Sequence, residues 1–308
     1  MKNTALVLFS YKSHKHGYIE NLFSRLSESA TGQNVSLERG SLKELHISVT
    51  DGKLQVDDAM TGKSLNDFAV IYFELWYKCP QQALAAATYC ERQNIPYFSN
   101  ELSRLIPDTK VGEIAILADS GISIPNTFTS SNAQLKKHFT VGSDIPFTYP
   151  FILKAADGYG GKTNFLVKNR KQLVEVLKSH KGITFIAQEY IPNDRDYRCL
   201  VLDGKVELVL ERKRQDESTH LNNTSAGAEG RLVDVSTLPK LAIKDVVAAA
   251  ERIGRTQFAG VDMIINCQTG QHYILEVNQT PQIEIGAEVD AKMNALLSFM
   301  KKLGGQRW

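Results

Sequence analysis

Residues 150–163 read PFILKAADGYGGKT, three glycines and two lysines behind an extended apolar run. The last four residues nearly complete a phosphate-binding P-loop. Such a loop needs a glycine five residues before its final Gly, and that position is Ala156. A P-loop also feeds directly into a helix whose first N–H groups point at the phosphates. Here the next residues, NFLVKN, alternate in the manner of a strand. The stretch therefore predicts strand, glycine loop, strand: a hinged flap between two strands that can cover phosphates without belonging to a P-loop fold.

The bulk properties narrow what such a flap could serve. A chain of 308 residues has length for about two domains and a sizeable core. With 43% hydrophobic and 23% charged residues it reads as an ordinary soluble globular protein. A net charge of +2 supplies no excess to grip a polyphosphate backbone, so no nucleic-acid partner is expected and any bound anion must be held locally. The opening MKNTALVLFSYK has too short an apolar run for a signal peptide, and no later stretch approaches a membrane span. Cys79, Cys90, Cys199 and Cys267 are scattered without a CxxC pair and read as reduced, mostly buried thiols, so a cytoplasmic location and no membrane partner are expected.

Upstream of the flap, TALVLFS, helical spacing at Ile19, Leu22, Phe23 and Leu26, DFAVIYFEL and QQALAAATYCERQN alternate strand with helix, the pattern of a small α/β domain with a parallel sheet. HISVTDGKLQVDD adds a hairpin around its Thr-Asp-Gly-Lys turn. A helix begun near Asp108 and closed by Gly121 follows, with a domain boundary near residue 105. From 147 onward strands join their neighbours by hairpins, one turning at Asp203-Gly204, and a helix from about Pro239 stops at Gly254. An α+β half with antiparallel sheets is expected there. The divisions are residues 1–105, 106–190 and 191–308.

The acids that carry chemistry lie in VDMIIN and YILEVN, which flank CQTGQ. A five-residue hairpin loop there pairs Asn266 with His272 and so Asp262 with Glu276, and Asn278 joins them because residues two apart share a face. Two carboxylates and an amide oxygen suit Mg²⁺, with Mn²⁺ as a substitute, while substrate phosphates complete the shell. The plainer alternative is a surface strand carrying acids by chance. Against it, Val261, Met263, Ile265, Leu275 and Val277 assign the other face to a core, and like charges directly opposite destabilise paired strands unless a cation lies between them. In VELVLERKR, alternation places Val206, Leu208, Leu210, Arg212 and Arg214 on one face, an apolar row that turns cationic and so opens on a cleft. Asp196 and Arg198 of DYRC likewise share a face. Lys154 ends the strand feeding the flap and Lys110 lies in a helix's first turn. Singly each is an ordinary solvated or paired cation, and the case for them is convergence. His14 and His16 lack a third ligand nearby and are left as loop residues, while Trp76 and Tyr77 read as packing.

With FILKAADGYGGK, QEYI, DYRCLV, ERKR, VDMI and LEVNQTP in this order, the chain resembles the ATP-grasp enzymes, and among them the RimK-type amino-acid ligases. The resemblance implies an N-terminal α/β domain followed by two subdomains that sandwich ATP. It implies a flap of Gly158, Tyr159, Gly160, Gly161 and Lys162, and phosphate contacts from Lys154 and Lys110. It further implies an adenine edge along Gln188, Glu189, Tyr190 and Ile191, the ribose on Asp196, Asn223 beside the phosphates, and Mg²⁺ on Asp262, Glu276 and Asn278. The sequence departs from the family where RimK-type enzymes carry an arginine-bearing loop: LNNTSAGA sets Leu221 and Ala226 where arginines are expected, so Arg212, Arg214 or Arg231 would have to substitute.

The family's activity implies an ADP-forming carboxylate-amine ligase in which a carboxylate takes the γ-phosphoryl of ATP and an amine then displaces phosphate. Lys154, Arg212 and Arg214 would neutralise the transferring group. The partners implied are ATP, a carboxylate and an amine drawn from amino acids, peptides or protein tails, with homo-oligomers allowed. Two alternatives stand beside it, a kinase of the same fold acting on a hydroxyl and a non-catalytic ATP-binding protein. The metal-ligand trio and Lys154 weigh against the second.

Overall fold

The buried run ALVLF forms the centre of a parallel sheet. This structure is a computed structural model that describes residues 4–10, 17–50, 53–98, 102, 110–141, 147–156, 163–214 and 229–305. In it β1 (Thr4–Phe9) is followed by α1 (Gly17–Thr31) and β2 (Ser36–Ser41), then by β3 (Leu45–Thr50), β4 (Lys53–Asp58) and β5 (Lys63–Ser64), which make a small antiparallel sheet of their own. β6 (Val70–Glu74), α2 (Pro80–Arg92) and β7 (Tyr97–Phe98) complete the unit. The parallel sheet has the order β2-β1-β6-β7. Alternation along β1 divides its side chains between two cores, Ala5, Val7 and Phe9 with Leu22 and Leu26 of α1, and Leu6 and Leu8 with Ala83 and Ala87 of α2. Coverage on both faces is why the run is continuous rather than alternating. The predicted hairpin is present, with Thr50 paired to Lys53. Trp76 packs in the α2 core as expected.

The second unit contains α3 (Lys110–Asp119), β8 (Thr127–Thr129), α4 (Asn132–Val141), β9 (Phe151–Ala155), β10 (Asn164–Val167), α5 (Arg170–Ser179) and β11 (Phe185–Glu189). The strands form an antiparallel sheet in the order β10-β9-β11-β8. Lys154 pairs with Asn164 across the strands that flank the glycine loop, so the strand, loop, strand reading holds. One face of the sheet is apolar: Phe151, Leu153, Ala155, Phe185 and Ala187 pack with Leu135 of α4 and Leu173 of α5. Alternation then puts Lys154 and Gln188 on the opposite face.

The third unit is a five-stranded antiparallel sheet in the order β14-β13-β12-β15-β16, made of β12 (Arg195–Leu202), β13 (Lys205–Lys213), β14 (Glu229–Val233), β15 (Phe258–Ile265) and β16 (His272–Asn278), with α6 (Lys240–Arg252) between β14 and β15. The β12–β13 turn is the expected one. Asp203 and Gly204 both have positive φ, 51° and 71°, as a two-residue type I′ hairpin requires. Cys199, Val201, Val209, Val261, Met263 and Val277 pack under Val246, Ala249 and Ile253 of α6. The other face is apolar at one end, where Leu200, Leu202 and Phe258 join the core of α1, and charged at the other. The last helix, α7 (Val289–Gly304), returns to that shared core through Met293, Leu296, Leu297 and Met300.

Two β-bulges depart from simple alternation. On β13 the register steps between Leu200↔Leu208 and Val201↔Val206, so Glu207 is the extra residue. Val206 thereby leaves the face of Leu208: it packs in the α6 core while Leu208 packs in the α1 core. Arg214 lies one residue past the end of the strand. The expected five-residue face therefore reduces to Leu208, Leu210 and Arg212, because one inserted residue reverses every side chain beyond it. On β16 the turn pairs Ile265, not Asn266, with His272, and the step at Asp262/Met263 makes Leu275 the extra residue. Ile274 takes the core position expected for Leu275. The bulge cancels the one-residue offset, so Asp262 does pair with Glu276.

Cys79, Cys90 and Cys199 are buried and Cys267 is exposed, and none of the four is in a disulfide. Among the described residues no helix is long and apolar enough to cross a membrane. Gly260, paired with Asn278, lets the chain after β16 lie flat on the charged face: a Cβ built there would stand 2.5 Å from Cβ of Pro281. A proline ring cannot swing aside, so Gly260→Ala is expected to cost about 1–3 kcal/mol in urea unfolding. An unchanged unfolding midpoint would show that Pro281 moves freely.

Candidate active site

The charged end of the third sheet is built by register. Arg198 stands opposite Asp262, Asp196 opposite Arg212, and Asp262 opposite Glu276. Arg198 grips Asp262 with two parallel bonds, Nε to Oδ1 at 2.8 Å and Nη2 to Oδ2 at 2.7 Å. Arg212 holds Asp196 in the same forked way at 2.6 and 2.9 Å, and its Nη2 also reaches Asp262 Oδ1 at 3.2 Å. Asn278 donates its amide N–H to Asp262 Oδ2 at 3.2 Å. Asp196, Arg212 and Asp262 are all buried. Burial by itself would raise the Asp262 carboxyl, but the two guanidiniums hold it well below the usual carboxylate range. Asp196 is gripped by Arg212, yet burial, together with the nearby Asp262 charge, pushes it up to about 6.

Glu276 forms an ion pair with Lys110, the first residue of α3. One turn later Glu113 accepts from the buried Arg255 at 2.6 Å, and Arg255 also donates to the carbonyl of Val277. This buried bridge pins α3 against β16 and so fixes Lys110 beside Glu276. From the facing sheet, Lys154 donates to Gln188 Oε1 at 3.0 Å, and Gln188 donates onward to Thr127 Oγ1 at 3.0 Å. Burial lowers the Lys154 ammonium to about 8, opposed first by the charge of Glu276. Groups from two sheets thus share one electrostatic site: Lys154 on one wall, Asp262, Glu276 and Asn278 on the other, and Lys110 alongside.

The remaining expected residues sort by their contacts. Asp196, expected at the ribose, is buried and bonds both of its oxygens to Arg212. Gln188 steadies Lys154. Along the expected adenine edge, Glu189 N–H bonds to Asn126 O at 2.8 Å and Ile191 O accepts from Asn193 at 2.8 Å, with the half-buried Tyr190 between them. Arg214 donates to the carbonyl of Asn193, which draws it to this edge and away from Arg212. Arg231 pairs with Glu211 at 2.8 Å and is largely exposed. Gly158, Tyr159, Gly160, Gly161, Lys162, Leu221, Asn223 and Ala226, with His14 and His16, lie outside the described residues.

Sequence reading placed Arg198 on the face of Asp196 but assigned it no role. Its position opposite Asp262 depends on β12 pairing with β15, a contact between segments more than sixty residues apart that no local pattern announces.

The donor set suits a hard divalent cation. Among the described residues no three His, Cys, Asp or Glu side chains gather as a cation cluster. The third protein ligand would then be the Asn278 amide beside Asp262 and Glu276, which leaves the rest of the shell to phosphate or water, as Mg²⁺ prefers.

An antiparallel sheet that brings Lys154 to a second antiparallel sheet carrying an acid-acid-amide trio, with an α/β unit before them, is the ATP-grasp architecture. The RimK-like ATP-grasp domain model matches residues 107–302, and the chain belongs to that family. It is 28% identical over 256 residues to a probable alpha-L-glutamate ligase of Desulfotalea psychrophila, which covers 80% of this chain and 52% of that protein. It is 24% identical over 229 residues to another of the same name from Cellvibrio japonicus, covering 72% of each. The chain thus spans about half the length of the first of these relatives. Among solved structures it resembles the ATP-grasp ligase PsnB complexed with a phosphomimetic variant of minimal precursor, Mg and ADP (TM-score 0.65, 17% identity, 99% and 100% of the two chains). It also resembles the D-alanine–D-alanine ligase of Bacillus anthracis complexed with ATP (TM-score 0.62, 17% identity, 97% and 94%).

The shared guanidinium predicts an asymmetric response to mutation. Arg212→Met leaves Asp196 buried without a partner and is expected to cost about 3–5 kcal/mol in urea unfolding. Adding Asp196→Asn should recover a large part of that loss, whereas equal stability of the single and double variants would mean that Asp196 carries no charge in the folded state.

Proposed function

We propose that this chain is an ATP-dependent carboxylate-amine ligase, ADP-forming, that joins L-glutamate or a similar amino acid to a second amino acid, a peptide or a protein tail. The observation that carries the reading is the meeting of Lys154 with Asp262, Glu276 and Asn278 across two sheets. A buried cation facing an acidic, cation-binding wall is what a nucleotide polyphosphate needs at its reacting end. The names of the relatives support L-glutamate, and the precursor seated on PsnB supports a peptide partner. The division at residues 105 and 190 is kept as the assignment of the N-terminal domain and the two halves of the nucleotide clasp. The buried thiols of Cys79, Cys90 and Cys199, none in a disulfide, suit a cytoplasmic setting.

In this reading Asp262, Glu276 and Asn278 hold Mg²⁺, for which Mn²⁺ can substitute, and the bound ion supplies Lewis-acid stabilisation of charge on the phosphate oxygens. Arg198 and Arg212 keep the Asp262 carboxylate ionised and aimed. Lys154, steadied by Gln188, places its ammonium against phosphate oxygens, and Lys110 exchanges Glu276 for phosphate when nucleotide arrives. Arg212, held by Asp196, adds a fixed positive charge on the substrate side, and Arg214 shapes the Asn193 turn beside the adenine edge. The flap of Gly158, Tyr159, Gly160, Gly161 and Lys162 closes over the phosphates and excludes water, and Asn223 reaches the same oxygens. A substrate carboxylate oxygen attacks the γ-phosphorus as the bond to ADP breaks. The neutral amine nitrogen then attacks the acyl carbon, the bond from that carbon to the phosphate oxygen breaks, the nitrogen gives up one proton, which balances on the departing phosphate, and an amide remains.

Glu276→Gln and Lys154→Met should each lower ADP release by on the order of 10²-fold or more, with melting temperatures near that of the wild type. A coupled ADP assay with L-glutamate and a mixture of short peptides checks this. Dependence of ADP release on both an amine and a carboxylate supports ligation, and amine-independent release would direct the reading to a hydroxyl acceptor.

A further inference from the structure

Beyond Asn278 the chain leaves the charged site and forms a second polar cluster at its edge. Arg198, which grips Asp262, also donates to the carbonyl of Pro281 at 3.2 Å. Two residues on, Ile283 is buried in the core shared by α1 and α7. Next comes Glu284, 1% exposed, and neither of its carboxylate oxygens has a hydrogen-bond partner among the described residues. Lys292, in the first turn of α7, spends its ammonium on the carbonyls of Ile285 at 2.7 Å and Gln282 at 3.4 Å and makes no ion pair with Glu284. The Gln279 side chain, 7% exposed, is likewise without partners at both amide atoms among the described residues.

The opposite wall is the carboxyl end of the parallel sheet. Glu74, the last residue of β6 and 1% exposed, accepts from Tyr18 Oη at 2.5 Å and from Tyr72 Oη. It pairs in register with Phe9 at the end of β1. In the order β2-β1-β6-β7 the connections leave β1 in one direction and return to β6 in the other, so the ends of β1 and β6 flank the switch point. Open α/β sheets bind their ligands outside the strand ends at that place. Glu284 lies close to it: Asn21 of α1 donates to its main-chain carbonyl at 3.4 Å, and its charge adds to the burial that raises both the Tyr18 phenol and Glu74, the latter to about 7. Burial likewise raises the Glu284 carboxyl, opposed first by its own main-chain N–H, too poorly aligned to make a full hydrogen bond, and then by the charges of Lys292 and Arg198.

A carboxylate taken from water with no partner costs several kcal/mol, and a cation arriving beside it removes that cost. We propose that Glu284, with Glu74 on the facing wall, is the anionic anchor of the amine subsite and holds the ammonium group of the amino acid or peptide that the enzyme ligates. This rests on the ligase reading above. The two sides of Arg198 then serve different ends. The proposed metal ligand Asp262 is on one side of that arginine and the Pro281 carbonyl, leading to Glu284, is on the other, so the ammonium would be held apart from the metal and phosphate groups. Two buried acids at one spot select a primary amine, arriving as its ammonium, over an acylated nitrogen, and a carboxylate there takes the proton that the nitrogen must lose before it attacks.

The test uses the full chain with a non-hydrolysable ATP analogue and Mg²⁺. The twenty L-amino acids are screened singly by thermal shift, and the best stabiliser is titrated by calorimetry beside its N-acetyl derivative. The wild type is expected to bind the free amino acid at least about 30-fold tighter than the acetylated form, and Glu284→Gln to lose a similar factor for the amino acid while its affinity for the ATP analogue changes less than about twofold. Without ligand, Glu284→Gln should melt above the wild type, because an unpaired buried charge has been removed. Undiminished amino-acid affinity in Glu284→Gln, equal binding of the acetylated probe, a lower melting point of the unliganded variant, or no stabilisation of the wild type by any amino acid overturns the proposal. If Glu284→Gln fails to fold, Glu74→Gln and the acetylated probe on the wild type decide it, with weaker amino-acid binding by the variant expected. Hydroxamate formation by the wild type from a peptide carboxylate, ATP and hydroxylamine reports on the ligase reading by itself. With hydroxamate formed and the amino-acid affinity of Glu284→Gln intact, this inference fails and that reading stands, whereas absence of hydroxamate removes the reading.

Discussion

A carboxylate buried against a sheet has to be met by positive charge, and Asp262 is met twice, by Arg198 from β12 and by Arg212 from β13. The rest of the site is arranged around that requirement. Arg212 is shared with Asp196, Arg198 is shared with the carbonyl of Pro281, and Asn278 closes the remaining side. Four neighbouring strands, β13, β12, β15 and β16, and the chain after β16 are thereby held in register by ionic and hydrogen-bond contacts at one end of the sheet. Such a network is a poor source of stability, because desolvation consumes much of the Coulombic gain, but it leaves few alternative arrangements. Its value is an ionised carboxylate held in one place.

The same sheet is apolar at its other end, and that contrast locates the site. Leu200, Leu202 and Phe258 join α1 and α7 in one core, while Asp196, Arg198 and Asp262 continue the same rows into the cleft. The third sheet is therefore fixed to α1 and the parallel sheet through hydrophobic contact, and the sheet of β8 to β11 brings Lys154 to its charged end. The Glu113–Arg255 bridge serves the smaller purpose of holding the first turn of α3 against β16, which sets Lys110 beside Glu276.

The acidic cluster of Glu74 and Glu284 lies where the α/β domain and the third sheet come together. Neither domain has it alone: β6 supplies one acid, and the chain between β16 and α7 supplies the other. The pairing exists only when the third sheet is docked against the parallel sheet, which is why a subsite is proposed there and not on either unit alone.

Much of this was legible in the order of residues. Alternation and turn chemistry identified the parallel unit, the antiparallel half, the two strands on either side of the glycine loop and the Asp203-Gly204 hairpin, because these depend on neighbours within about ten residues. The acid-acid-amide trio was legible too, although its register was right through two compensating offsets, a shifted turn and a bulge at Leu275 that a period-two reading cannot see. What tertiary structure alone decided was partnership: that Asp196 belongs to Arg212, that Arg198 holds Asp262, that Val206 turns to the opposite face, and that Glu74 faces Glu284 across more than two hundred residues. Local sequence sets which way a side chain points along its own strand. Which charge it meets depends on how distant strands and helices pack, and that is settled by burial of the whole core.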